Sequence, residues 1–226
     1  RRVLENEMIW RGFLNSFLYS LAFAVISVFV TLLAAYPLSK KEFVGRDFFN
    51  VIFLITMFFG GGMIPSFLLM RQLGMLDTIW VFLLPGAFSV FNMIIARSFF
   101  ESSIPEELHD AAHIDGLGYF GYFMKIVIPL SGAIIAVIVL YYFVGHWNNF
   151  FTGLIYIRNQ DLLPLQNVLQ MILMANQTAG DSIGMSAGQA QDFADQIKFG
   201  VILVSTLPLL VMYPFMQRYF DKGVMI

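Results

Sequence analysis

Five stretches of this chain contain no Asp, Glu, Lys or Arg: residues 17–37, 48–70, 78–96, 126–145 and 199–217. Each runs for 19–23 residues, and about 20 helical residues cross the roughly 30 Å hydrocarbon layer of a bilayer. Backbone in hydrocarbon must satisfy its own polar groups, which leaves helices and closed barrels, and these unbroken apolar runs lack the alternation of barrel strands. The expectation is an all-α integral membrane protein with five visible transmembrane helices. The composition agrees: 58% of the 226 residues are hydrophobic and 12% are charged, about half the charge of a soluble domain, and the mean hydropathy is +0.75. A net charge of −2 leaves no footprint for nucleic acid. With no cysteine, disulfides, thiolate zinc sites and cysteine nucleophiles are excluded. The first run is too long, and too well charged behind it, for a cleaved signal peptide.

Several runs carry helix breakers: Gly60-Gly61-Gly62 with Pro65, Pro85-Gly86, Pro129, and Pro208 with Pro214. Membrane helices tolerate these where neighbours re-satisfy the freed backbone groups. They mark kinks or, at Gly60–Pro65, a broken stretch that lines a cavity. Orientation follows Lys and Arg. Lys40, Lys41, Arg46, Arg97, Lys125, Arg218 and Lys222 fall on one side of a five-span chain, against Arg71, Arg158 and Lys198 on the other. The first set is therefore expected to be cytoplasmic. Arg1, Arg2 and Arg11 then lie outside, and a further span is expected upstream.

Two connecting segments are long. In residues 97–125, Ser103-Ile104-Pro105-Glu106-Glu107 reads as a helix start, with a capping candidate, an early proline and acids in the first turn. In residues 146–198, Leu165, Val168, Leu169, Ile172 and Leu173 recur at helical spacing over 165–174. The Gly/Ala/Gln/Asp-rich residues 175–196 read as a loop.

No G-x-x-x-x-G-K-[ST] loop is present, so the chain does not hold nucleotide phosphates in that manner. The spans also lack the membrane-depth ionisable groups on which ion-coupled carriers and voltage sensors rely. If the chain transports something, the energy comes from elsewhere. His109-Asp110-Ala111-Ala112-His113 places two histidines on one helical face, and with Asp110 as base it could serve a zinc peptidase. Against this, Asp reaches less far than Glu, and no glutamate follows Glu107. An intramembrane metalloprotease built on His109 and His113 is the alternative reading.

A longer pattern includes the same residues. Asp110-Ala111-Ala112, Gly116, and then Ile126, Ile128 and Pro129 give acid-A-A-x-x-x-G-x9-I-x-[LI]-P. This resembles the EAA loop of permease subunits of binding-protein-dependent ABC importers, with Asp110 in place of Glu and Ile128 in place of Leu. Further resemblance to maltose-type carbohydrate permeases lies in Asn15-Ser16, Pro37-Leu38-Ser39, Ala96-Arg97-Ser98-Phe99-Phe100, His146-Trp147-Asn148-Asn149-Phe150 and Lys222-Gly223.

The resemblance implies a six-helix permease domain over residues 12–226, its first helix lying upstream of Arg1. Residues 103–120 would carry the cytoplasmic coupling helix, and residues 146–198 would form an extracytoplasmic loop. Glu107, Asp110, Ala111, Ala112, Asp115 and Gly116 would then form the contact with an ATPase subunit. Small Ala111 and Ala112 would let the helix lie close to the partner, and Gly116 would permit a sharp turn. The implied partners are a second permease, two ATPase subunits and an extracytoplasmic sugar-binding protein. ATP and Mg would bind on the ATPases, with no cofactor on this chain and no catalytic residue, in the cytoplasmic membrane of a bacterium. Candidate sugar-pathway residues are Gly60, Gly61, Asn92, Trp147, Asn148 and Asn149, with Gly62 and His146 beside them, because aromatics stack on sugar faces and amides bond hydroxyls.

Overall fold

A computed structural model describes residues 7–182 together with residues 206 and 210. All regular structure among the described residues is helical. The longest element, α1 (Glu7–Ser39), spans 33 residues, starts on an acid and carries Pro37 in its last turn. Its buried stripe is built of small and hydroxyl residues. Ser16, Ser20, Ala24, Ser27, Thr31 and Ala35 are each no more than 2% exposed, spaced three or four apart on one face. Without a hydrophobic driving force inside lipid, small residues permit close helix approach and hydroxyls supply directional bonds. Phe17, Leu21, Val25 and Phe29 lie exposed on the other face, as a lipid-facing surface requires.

The second charge-free run divides into α2 (Arg46–Phe58) and α3 (Met63–Gln72), bent by 108° at a four-residue break. The cause is local: Phe59 is extended, and Gly62 takes φ +84°, a left-handed conformation that glycine adopts without strain. Pro65 then sits in the first turn of α3, where its missing N–H costs nothing. The third run, 78–96, is not one helix. It comes as α4 (Trp80–Leu83) and the start of α5 (Val90–Ser103), parted at Pro85 and Gly86, whose φ is +76°. After α6 (Glu106–Ile114) come α7 (Tyr119–Tyr122), a π-turn at Phe123–Val127 and α8 (Ile128–Leu130). These bend by 82° at Ser131 into α9 (Gly132–Trp147). Among the described residues, α1 alone is a single helix long and apolar enough to span a bilayer, and the two bent pairs reach that length and apolarity only when each is taken as one unit, a broken span or a re-entrant loop. Of the run 199–217, only residues 206 and 210 are among the described residues, so the expected fifth span lies almost wholly outside them.

The segment after α9 is more ordered than its composition suggests. It contains α10 (Phe151–Tyr156), a 3₁₀ turn at Gln160–Leu162 and α11 (Leu165–Ser182). The amphipathic reading of 165–174 holds: Leu165, Val168 and Leu169 are buried. The loop expected from residue 175 does not begin there, because α11 continues to Ser182. Ala175, Gln177 and Ala179 are compatible with a helix that has already nucleated upstream.

The described chain gathers into two compact units, residues 7–22, 67–85 and 143–182, and residues 23–66 and 86–142. In the first, Trp147 is 1% exposed, stacks on Phe143 at 6.1 Å and meets Phe13 edge-on at 5.7 Å. Ser16 Oγ accepts the Leu165 N–H at 2.8 Å, and the Asn15 amide donates to the Asp161 carbonyl at 2.8 Å. In the second unit, Thr31 and the Tyr142 hydroxyl lie 2.6 Å apart, and that hydroxyl accepts the Ser89 N–H at 2.9 Å.

Candidate functional site

The short helix α6 lies between α5 and α7 in the second unit. Its start differs from the expected one. Ser103 ends α5, Ile104 is extended, and Pro105 precedes α6 without any side-chain cap. Glu106 and Glu107 occupy the first turn, where their charge complements the free N–H groups. The end of α6 is closed by a Schellman turn. Leu117 N–H bonds Ala112 O at 2.9 Å, Gly116 N–H bonds His113 O at 3.1 Å, and Gly116 takes φ +79°. The glycine of the motif is therefore required by the backbone.

Exposure divides the helix by face. Ala112 is 4% exposed, and His109 keeps its ring 5.3 Å from Tyr119 and 5.1 Å from Tyr122. These two residues, three apart, hold α6 to the chain. Glu107, Asp110, Ala111, Ile114, Asp115 and Gly116 are exposed, and Ile114 is 86% exposed. Two expectations change here. Ala112 packs within its own chain, so Ala111 is the small residue left open to a partner. His109 sits on the packed face, and its nearest carboxylate oxygen, on Asp110, is 4.0 Å away. Among the described residues no three His, Asp or Glu side chains converge as a metal site would require.

Polar contacts brace other parts of the same unit. Glu101 accepts from both Arg46 and Arg97, the latter at 2.9 Å, tying the start of α2 to the end of α5. Arg46 also donates to the Leu38 carbonyl at 3.0 Å. Tyr119 donates to Glu42 at 3.0 Å, and Lys40 lies 5.2 Å from the centre of the Tyr122 ring. Arg97 and Glu101 are an i,i+4 pair on α5, but no spacing rule joins Arg46 to Glu101 or Glu42 to Tyr119. The exposed apolar Ile114, by contrast, follows from helical phase, since 107, 110, 111 and 114 share one face.

The candidate sugar-pathway residues scatter in character. Gly60 and Gly61 are exposed at the α2–α3 break, and a Cβ on either would meet at most Pro65, at 3.9 Å. Trp147 is a core side chain rather than an open stacking platform, and Asn92 is buried at 6% exposure in the first turn of α5. Asn149 spends its amide on the local turn, donating to Thr152 Oγ1 at 2.9 Å and accepting the Thr152 N–H at 3.2 Å. Asn148 is exposed and donates back to Val144 O at 2.9 Å. His146 bridges Ser20 Oγ at 3.1 Å and the Phe82 carbonyl at 2.9 Å.

A family profile described as "binding-protein-dependent transport system inner membrane component" matches residues 7–226. The chain belongs to this family. It is 37% identical over 227 residues to the polygalacturonan/rhamnogalacturonan transport system permease protein YtcP of Bacillus subtilis, a match covering 100% of this chain and 79% of that protein. It is 42% identical over 204 residues to the protein LplC of the same organism, over 89% of this chain and 68% of that one. Its fold is similar to a chain in the crystal structure of a bacterial ABC transporter involved in the import of the acidic polysaccharide alginate. The TM-score is 0.84 at 31% identity, over 97% of this chain and 78% of that chain. Permeases of this family are transport components and not enzymes in themselves, and the metalloprotease reading finds no support.

Proposed function

We propose that this chain is the permease subunit of an ATP-driven importer that takes up a sugar or oligosaccharide delivered by an extracytoplasmic binding protein, with α6 as its coupling helix. The observation that carries this reading is α6 itself: an acidic helix held by Ala112 and His109, with Glu107, Asp110, Ala111 and Ile114 left uncovered. The likeness to YtcP and to the alginate importer supports a polysaccharide-derived substrate. A second permease would complete the pathway, and two ATPase subunits holding ATP and Mg would supply the energy, in the cytoplasmic membrane of a bacterium. Within this chain the remaining pathway candidates are Gly60, Gly61 and Asn148.

In mechanism, closure of the ATPases would displace α6 as a body, because its C-terminal turn fixes the helix and its inner face ties it to α7. The α2–α3 break at Gly60–Gly62 gives the pathway side a place to bend. The decisive experiment is Asp110→Lys and Ala111→Trp in the reconstituted complex. Charge reversal at a packed contact costs about 2–5 kcal/mol, so both variants should lose ATPase retention and sugar-stimulated ATP hydrolysis while inserting normally. His113→Ala, on the exposed side, should be mild. Full activity of both contact variants would sink the assignment. Orientation is checked by single-cysteine labelling in sealed cells, where 41 and 113 should be protected and 177 should react.

A further inference from the structure

The helices on either side of α6 grip one short stretch of chain, the connection 40–46 between α1 and α2. From α5, Glu101 in the last turn accepts from Arg46, the first residue of α2. Arg46 also donates through Nε to the Leu38 carbonyl at the end of α1, at 3.0 Å. From α7, Tyr119 donates to Glu42 at 3.0 Å, and the Lys40 ammonium lies 5.2 Å from the centre of the Tyr122 ring. All of these groups belong to the second compact unit.

Neither flank of α6 is slack. The chain leaves α5 at Ser103, and Pro105, with φ −58°, stiffens the joint next to Glu106. Between α6 and Tyr119 stand the Gly116 turn and the His109 ring, 5.3 Å from Tyr119. The gripped connection leads directly into α2, whose far end is the break at Gly60–Gly62. Phe53 meets Phe88 at 5.2 Å, but no residue of α2 is buried, so packing within this chain does little to place the helix. Its foot is set by Arg46. The Arg46 and Glu101 side chains are 22% and 33% exposed, partly withdrawn from the solvent that weakens an open ion pair. Arg97 also reaches Glu101, but from α5 itself, and so joins nothing to α2.

We propose that the connection 40–46 relays movement of α6 to α2, with Arg46 and Glu101 as the positioning residues that make the link. This rests on α6 meeting an ATPase. A shift of α5 with α6 moves Glu101, Glu101 carries the foot of α2 through Arg46, and the bend at Gly60–Gly62 changes. Without the pair the ATPases still dock and bind ATP, and α2 no longer follows.

The test uses the transporter complex reconstituted in nanodiscs, with Met57 beside the break replaced by a fluorescent amino acid and ATP with vanadate as the trapping ligand. Met57 is exposed, so the label has room. Trapping should shift the emission of the otherwise wild-type complex. Arg46→Gln and Glu101→Gln should each cut that shift about fivefold or more, while ATPase retention and trapped nucleotide stay at wild-type levels. The double variant should be no worse than either single one, because the two side chains act as a unit. Arg97→Gln removes an ion pair to the same carboxylate and should leave the shift intact, a distinction that a merely structural role would not make. The relay fails if the label never responds, if Arg97→Gln and Arg46→Gln act alike, or if the variants release the ATPase. Asp110→Lys separates the two readings. It should release the ATPase, and full retention would sink the α6 assignment and the relay with it; release there beside an undiminished shift in Glu101→Gln overturns the relay alone.

Discussion

Helix α6 and the stretch 146–156 both carry polar side chains, and they use them in opposite ways. Along 146–156 the polar groups are spent inside the chain. His146 joins α1 to the Phe82 carbonyl, Asn149 caps α10, and Trp147 fills the core between Phe143 and Phe13. On α6, the carboxylates of Glu107 and Asp110 are exposed, and the packing is left to Ala112 and His109. A residue type that suggests ligand contact is therefore informative only once its own chain's demands on it are known.

Four substitutions break or sharpen that contrast. Trp147→Ala removes a fully buried ring and should lower stability by roughly 3–5 kcal/mol, read by thermal unfolding in nanodiscs; near-wild-type stability would mean the ring is not structural. Ala112→Trp overfills the inner face of α6 and should lower stability by about 1–3 kcal/mol. Ala111→Trp should leave unfolding alone and act only on ATPase retention. Equal effects from the two alanines would erase the division of faces. Asn149→Ala should cost about 1 kcal/mol, as loss of a helix-start cap does, with sugar uptake changed only in proportion to the amount of folded protein.

The smallest effect concerns Asp77, on the connection before α4. Its carboxylate accepts the Arg158 and Asn159 N–H groups at 2.9 and 2.8 Å, and these bonds hold its carboxyl below the ordinary 3.8. A lowered folded-state value means the stabilisation is present above the unfolded value and lost as pH falls through the folded one. The stability gap between wild type and Asp77→Asn should therefore be constant from about pH 7 to 5 and close below about pH 4.

Much of the architecture was legible from charge alone, because hydrocarbon leaves so few ways to satisfy a backbone. The break at Gly60–Gly62, the helix at Leu165 and the turn at Gly116 were each readable from residue type. What could not be read was which side of a short helix faces inward. Ala111 and Ala112 are identical in composition and adjacent in sequence, and only the fold shows that the second is covered, on the same face as His109 with its contacts to Tyr119 and Tyr122. The apolar run 78–96 differs in another way: it is not one continuous helix. Its hydropathy is that of a span, yet Pro85 and Gly86 interrupt the hydrogen-bond ladder there. At residue 175 the error was propensity: alanine and glutamine continue a helix that periodicity alone ends.

The Schellman turn after α6 has an evolutionary reading. It fixes where the helix stops using main-chain bonds and one glycine, so the end of α6 does not depend on the outer-face side chains. Asp110, Ala111 and Ile114 can therefore change with less cost to the fold than Ala112, His109 or Gly116. If α6 meets an ATPase as proposed, a cell that runs several importers side by side gains from this separation: each transporter can keep its own fit to a particular motor, or several can converge on a shared one, without the scaffold being rebuilt.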